Sequence, residues 1–126
     1  MADKKKVLVV DDESALRRAL SDSLKAENLY DVFDAGDGEE ALEIVRKEHP
    51  DLVLLDISMP KMDGITMAKR MSDEKLLGAP TKVIFLTNST EIDQIATAVE
   101  VGNADYLIKA DWDMKDIIAR IKQKLV

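Results

Sequence analysis

Cysteine is absent from the 126 residues, which removes disulfides, a thiolate zinc site and a cysteine nucleophile together. That fits a reducing compartment. Long apolar runs are missing too, since no stretch approaches the ~20 consecutive apolar residues of a membrane span. The opening Met1-Ala2-Asp3-Lys4-Lys5-Lys6 has the charged look of a signal-peptide front. The apolar run behind it, Val7 to Val10, is far too short for an export segment. A cytoplasmic protein with no membrane partner is expected. The chain also lacks a dense basic run and carries a formal net charge of −7, which disfavours direct nucleic-acid binding. Linkers, low-complexity segments and sequence repeats are absent as well.

What is present suits a folded domain. Hydrophobic residues make up 46% and charged residues 34%, so burial can outweigh chain entropy. A chain of this length buries roughly two-thirds of its unfolded surface, and the expectation is one domain over residues 1–126. Short apolar runs alternate with amphipathic stretches. Val7 to Val10, Tyr30 to Ala35, Leu52 to Leu55, Lys82 to Leu86 and Tyr106 to Ile108 predict strands. Between them, Leu16, Ala19, Leu20, Ser23 and Leu24 recur at helical spacing, as do Ala41, Leu42, Ile44 and Val45. Ala68 and Met71 mark a third helix from about Ile65. Ile92, Ile95, Ala96 and Val99 mark a fourth, capped by Gly102-Asn103. Met114, Ile117, Ile118, Ile121 and Leu125 mark a fifth, with Asp111 or Asp113 as N-cap.

Strand-helix alternation with short loops implies a parallel sheet, because parallel neighbours need crossover helices. Right-handed crossovers place those helices on both faces. The fold expected is an open, doubly wound α/β sandwich with five strands and five helices. In such sheets ligands bind beyond the carboxyl ends of the strands. There stand Asp11, Asp12 and Glu13 after the first strand, Asp56 after the third, Thr87 after the fourth and Lys109 after the fifth. Singly, each has a plain structural reading: Asp12 or Ser14 as a helix cap, Thr87 as a turn residue, Lys109 as a solvated cation. Together, acids, a hydroxyl and an ammonium on one edge point to chemistry.

At this point the chain resembles the receiver domain of bacterial response regulators, over essentially its whole length. The residues that carry the resemblance are Val7 to Asp12 with Glu13, Asp37-Gly38 before Glu40-Ala41-Leu42, and Pro50 to Asp56. They continue with Met59-Pro60, Met62-Asp63-Gly64, Val83 to Thr87, Gly102 and Ala104 to Lys109. The resemblance implies a flavodoxin-like sheet of order 2-1-3-4-5, with the first and third strands adjacent. Neighbouring strands lie about 4.8 Å apart, so Asp11, Asp12 and Asp56 should crowd together. Two carboxylates about 5 Å apart repel by roughly 3 kcal/mol at an effective dielectric near 20. Such a pocket wants a hard cation that keeps several waters, and Mg²⁺ suits it.

By the same resemblance, Asp56 is the phosphoacceptor. Asp12, Asp56 and the Ser58 backbone carbonyl would be direct Mg²⁺ ligands, with Asp11 acting directly or through water. Lys109 can offset phosphoryl charge as a point cation, and Thr87 can donate its hydroxyl to a phosphoryl oxygen. In the family that threonine is coupled to an aromatic residue on the fifth strand, here Tyr106, giving a two-state element biased by a new dianion. Tyr106 also reads as an ordinary half-buried strand aromatic. Ser58 and Ser89 occupy positions that tune phosphoryl lifetime. The expected function is a phosphorylation-dependent switch addressed by a sensor histidine kinase or a phosphotransfer protein. It would act on a downstream protein, or form a homodimer, through the face of the fourth helix, fifth strand and fifth helix. No output domain is expected within these residues, so the chain is either a stand-alone regulator or a receiver from a longer protein.

Two positions depart from the family pattern. Ala110 follows Lys109 where receivers usually carry a cis proline. A cis bond before a non-proline residue costs about 2.5–4 kcal/mol, so a trans bond and an altered loop to Asp113 are expected. Asn88 stands where the family usually has a small residue, and there it could slow entry of donors or of the hydrolytic water. His49, the only histidine, precedes the third strand and is expected on a surface loop remote from Asp56. The six methionines read as core filler, and Lys115, Arg120, Lys122 and Lys124 as a solvated helix face. A hydrolase with an aspartyl-phosphate intermediate is disfavoured, because its second acid would follow the first-strand nucleophile by two residues. A nucleotide or flavin binder is disfavoured because Asp11 to Ser14 holds no glycine. A pseudo-receiver that only binds a partner stays open through Ala110 and Asn88.

Overall fold

The apolar runs Val7 to Val10 and Leu52 to Leu55 lie side by side, residue against residue. A computed structural model of the chain describes residues 4–57, 59, 62–74, 82–87, 104–108 and 113–125. Among these are five strands: β1 (Lys5–Val10), β2 (Tyr30–Ala35), β3 (Leu52–Asp56), β4 (Lys82–Thr87) and β5 (Ala104–Ile108). They are accompanied by four helices, α1 (Ser14–Ala26), α2 (Gly38–Glu48), α3 (Gly64–Asp73) and α4 (Met114–Lys124). The helix expected around Ile92 to Val99, its Gly102-Asn103 cap and the Lys109-Ala110 bond lie outside the described residues. The helix labelled α4 is therefore the last of those expected from sequence.

All strand pairings are parallel, and the sheet order is β2-β1-β3-β4-β5. This is the doubly wound, flavodoxin-like arrangement. Side chains on a strand alternate between faces, and the core divides accordingly. Leu8, Val10, Val53, Leu55, Val83 and Phe85 meet Ala41, Leu42 and Val45 of α2 and Met67, Ala68 and Met71 of α3. On the opposite face Val7, Val9, Leu52, Leu54, Ile84 and Leu86 meet Leu20 and Leu24 of α1 and Ile117, Ile118 and Ile121 of α4. Every residue of β3 is buried. A strand covered on both faces needs a continuous apolar run, and that is what Leu52 to Leu55 supplies.

Short polar residues start three of the helices. Asp37 accepts from the Glu40 N–H at 2.8 Å, Asp63 from the Thr66 N–H at 2.7 Å, and Asp113 forms a capping box with Asp116. Of the two caps expected for the last helix, Asp113 is the one used. α1 differs: Glu13 occupies its cap without a side-chain bond, so neither Asp12 nor Ser14 serves there. Instead Asp11 Oδ1 accepts the Glu13 N–H at 2.9 Å. α2 ends on His49, exposed and left-handed at φ 49°. Pro50 disfavours a helical conformation for the residue before it, so the helix stops there.

Of the solvated face expected on the last helix, Lys115 and Lys122 are exposed, while Arg120 and Lys124 are half-buried, and three of the four make ion pairs. Arg120 holds Asp105 at 2.7 Å, Lys124 lies 3.6 Å from the same carboxylate, and Lys122 pairs with Glu27, the residue that caps the end of α1. Long side chains at a helix surface reach neighbouring elements that a helical wheel does not display.

Candidate functional site

Three strand ends build the site. β1 stops at Val10, yet the chain keeps its line for one more residue, because the Asp11 N–H donates to the Ala35 carbonyl beside it at 3.2 Å. Asp11 is thereby buried at the carboxyl edge, while Asp12 is exposed. Asp56 is the last residue of β3, is 4% exposed and pairs with Leu86 of β4. Oxygens from the Asp11, Asp12 and Asp56 carboxylates all lie within 4.8 Å of one another. Crowding like charges in a partly buried edge is unfavourable by roughly 3 kcal/mol for a pair about 5 Å apart.

The donor set fits a hard divalent cation. It offers three carboxylate oxygens, two from buried residues that hold position and one from exposed Asp12, whose open side leaves room for waters. Mg²⁺ characteristically takes one or two carboxylates and keeps several waters. The Ser58 carbonyl, the further ligand expected from sequence, lies outside the described residues.

Gly64 fixes how closely α3 approaches this edge. Its N–H donates to the Ile57 carbonyl at 2.9 Å. A Cβ built on Gly64 would stand 2.4 Å from the Asp56 carbonyl oxygen and 3.0 Å from Ile57 Cα. Both obstacles are backbone and cannot swing aside, so only glycine fits.

Thr87 ends β4, one residue beyond the Asp56 partner Leu86, and is fully buried. Tyr106 on β5 pairs with Phe85, two residues before Thr87. Tyr106 is 41% exposed, which suits both an ordinary half-buried strand aromatic and a side chain with room to move. Beside it, Asp105 accepts the Tyr106 N–H at 2.8 Å and both Arg120 contacts. Burial pushes the Asp105 carboxyl pKa up, but the Tyr106 N–H, Arg120 and Lys124 together outweigh it and hold the group below its ordinary value. Lys109, Asn88 and Ser89 lie outside the described residues. His49 sits before β3, at the end opposite Asp56, as its position in sequence predicts.

One contact at the site was not read from the sequence. Arg17 Nη1 donates to the Asp11 carbonyl at 2.8 Å, and its Nε donates to Asp34 Oδ2 at 3.0 Å. A signal existed: Arg17 lies in the opening turn of α1, where the helix dipole disfavours a cation and a local acceptor is needed to keep it.

A five-stranded parallel sheet of this order, with carboxylates gathered over two central strands, defines a CheY-like class of protein. Within it, the chain belongs to the response regulator receiver domains, whose family model matches residues 7–122. The ycf27 protein of Porphyridium aerugineum is 40% identical over 122 residues, covering 97% of this chain and 48% of that protein. Sporulation initiation phosphotransferase F of Bacillus subtilis (strain 168) is 39% identical over 120 residues, covering 95% of this chain and 93% of that protein. Among solved structures, a CheY-like response regulator receiver domain protein from Methanospirillum hungatei JF-1 superposes with a TM-score of 0.85 at 27% identity, covering 98% of this chain and 94% of that one. The chain spans about half the length of most of the curated relatives it matches. It is the receiver domain of a two-component response regulator, a signalling module whose general business is a phosphorylation switch.

Proposed function

We propose that Asp56 accepts a phosphoryl group and that the acidic pocket binds Mg²⁺ through Asp12, Asp56, the Ser58 backbone carbonyl and Asp11. The observation that carries this reading is the meeting of three carboxylates within 4.8 Å at the carboxyl ends of β1 and β3. In the transfer, an Asp56 carboxylate oxygen attacks phosphorus. The new O–P bond forms as the P–N bond of a donor phosphohistidine breaks, and the imidazole keeps the electron pair and takes a proton. Mg²⁺, when bound, offsets the negative charge of the incoming phosphoryl group. Buried Asp56 contributes a carboxylate held in one position, so little reorientation precedes attack. Lys109 supplies a further positive charge in this reading, and Thr87 donates its hydroxyl to a phosphoryl oxygen. Water later hydrolyses the acyl phosphate, returning the Asp56 carboxylate and inorganic phosphate.

The switch follows from the same groups. Thr87 drawn toward a phosphorylated Asp56 vacates space two residues along the ladder from the partner of Tyr106. Tyr106 then moves inward from its exposed position, and the face of residues 92–99, β5 and α4 changes shape. Ser58, Asn88 and Ser89 set how long the phosphoryl group stays. The donor is a sensor histidine kinase or a phosphotransfer protein, the output is a downstream protein or a homodimer, and neither nucleic acid nor membrane is contacted directly. The only catalysis assigned is the chain's own phosphorylation and dephosphorylation, within a single receiver domain over residues 1–126. A cytoplasmic location belongs to the reading, supported by the lack, among the described residues, of any helix long and apolar enough to cross a membrane.

The test is intact-mass spectrometry after incubation with Mg²⁺ and a small acyl-phosphate donor. One added phosphoryl group, absent from Asp56→Asn, is expected. No adduct with that donor or with a kinase would leave a module that binds a partner without phosphoryl chemistry.

A further inference from the structure

Arg17 makes contacts with two elements that the metal-site reading does not use. Its guanidinium donates through Nη1 to the Asp11 carbonyl at 2.8 Å and through Nε to Asp34 Oδ2 at 3.0 Å. Asp34 belongs to β2, the edge strand, while Asp11 opens the loop that carries Asp12. One rigid fork thus ties the acidic loop to the neighbouring strand. Gly36 makes the room: a Cβ there would stand 2.9 Å from Arg17 Nη1. Inside the loop, the Glu13 N–H to Asp11 Oδ1 bond fixes the Asp11 side chain; from outside it, the Ala35 carbonyl accepts the Asp11 N–H and Arg17 holds the Asp11 carbonyl, on the side that leads to Asp12.

We infer that Arg17 is a positioning residue for the cation site. It holds the Asp11-Asp12 peptide so that both carboxylates converge on Asp56. The inference rests on the reading of Asp11, Asp12 and Asp56 as a Mg²⁺ site. Its sign is opposite to what charge alone predicts. A guanidinium beside an acidic pocket repels an incoming divalent cation, so removing it on electrostatic grounds should tighten Mg²⁺ binding. Loss of an outer partner that orients ligands should weaken it instead, by about tenfold or more. Lysine cannot replace the fork, because one ammonium is a point charge and cannot reproduce the planar two-nitrogen geometry.

The experiment is calorimetric titration of Mg²⁺ into the intact chain, with melting temperature in chelator measured for every variant. Arg17→Gln and Arg17→Lys are expected to weaken Mg²⁺ by about tenfold, and Gly36→Ala by less. Arg17→Lys matters most, since it keeps the charge and removes the fork, whereas Gly36→Ala asks only the flexible end of Arg17 to shift. Affinity unchanged in Arg17→Lys, or tightened in Arg17→Gln, overturns the inference. Asp12→Asn separates the two levels of the argument. If it loses Mg²⁺ while the Arg17 variants keep it, the metal site stands and the clamp fails. If the native chain shows no Mg²⁺ binding, both fall together.

Discussion

The two ends of the sheet treat charge in opposite ways. At the amino end, unlike charges and complementary groups meet. Asp51 Oδ2 accepts the Lys6 N–H at 2.8 Å, Lys6 Nζ lies 3.4 Å from Glu48 Oε1, and the Lys82 ammonium donates to the Lys124 carbonyl. Asp51 also joins the ladder through its backbone, donating to Lys6 and accepting from Lys82. At the carboxyl end, Asp11, Asp12 and Asp56 bring like charges within 4.8 Å. One end is arranged for the fold alone. The other gathers charge that the fold would be more stable without, which is the mark of a site kept for binding or chemistry.

Backbone packing, not ion pairing, brings α3 against the carboxyl end, and this gives the largest expected effect. Gly64→Ala should destabilise the protein by about 2–3 kcal/mol in urea unfolding, because the added Cβ meets the Asp56 carbonyl and must move backbone. A change below about 0.5 kcal/mol would mean the edge is looser than its geometry implies.

The same substitution at the two ends should then have opposite signs. In chelator, Asp56→Asn is expected to stabilise by about 1–2 kcal/mol, a fraction of the pairwise repulsion it relieves. Asp51→Asn should destabilise by about 1 kcal/mol, since the hydrogen bond to the Lys6 N–H loses its charged acceptor. Mg²⁺ should narrow the first contrast: at ten times its dissociation constant it adds about 1.4 kcal/mol to the native chain and less to Asp56→Asn. Equal signs at both ends in chelator would remove the distinction drawn between them.

The smallest effect concerns pH and the β5 border of the site. The folded pKa of Asp105 lies below its unfolded value, so its stabilisation is complete above about pH 3.9 and is lost as pH falls through the folded value. The stability gap between the native chain and Asp105→Asn should therefore be constant from pH 7 to about 5 and shrink below about 4. A gap that stays constant to pH 2 would show that Arg120 and Lys124 do not hold the carboxylate in solution.

How much of this was legible in the sequence follows from how local each cause is. Continuous apolar runs such as Leu52 to Leu55 announce buried parallel strands, and an acid after such a run falls on the carboxyl edge whatever the strand order. That was enough to nominate Asp11, Asp12, Asp56 and Thr87. Asp113 is an expected cap; Asp37 and Asp63, which also act within three residues, are not among the expected caps, although the same local rule applies to them. Contacts between distant segments were not legible. Arg17 reaches Asp34 across 17 residues, Arg120 reaches Asp105 across 15, and Lys6 meets Asp51 across 45. The need for glycine at 64 depends on a carbonyl eight positions earlier, brought close only by the folded loop. Pattern reveals which side chains seek the core; it does not reveal which polar atoms meet once the core has formed.

The most direct measurement of the central claim is chemical mapping of the phosphoryl group. The chain is phosphorylated with Mg²⁺ and an acyl-phosphate donor, reduced with borohydride to turn an aspartyl phosphate into homoserine, and sequenced by tandem mass spectrometry. Homoserine at position 56, and at no other aspartate, is the predicted result. Homoserine at position 11 or 12, or a borohydride-stable phosphate on Thr87, would contradict the assignment of Asp56 as the acceptor.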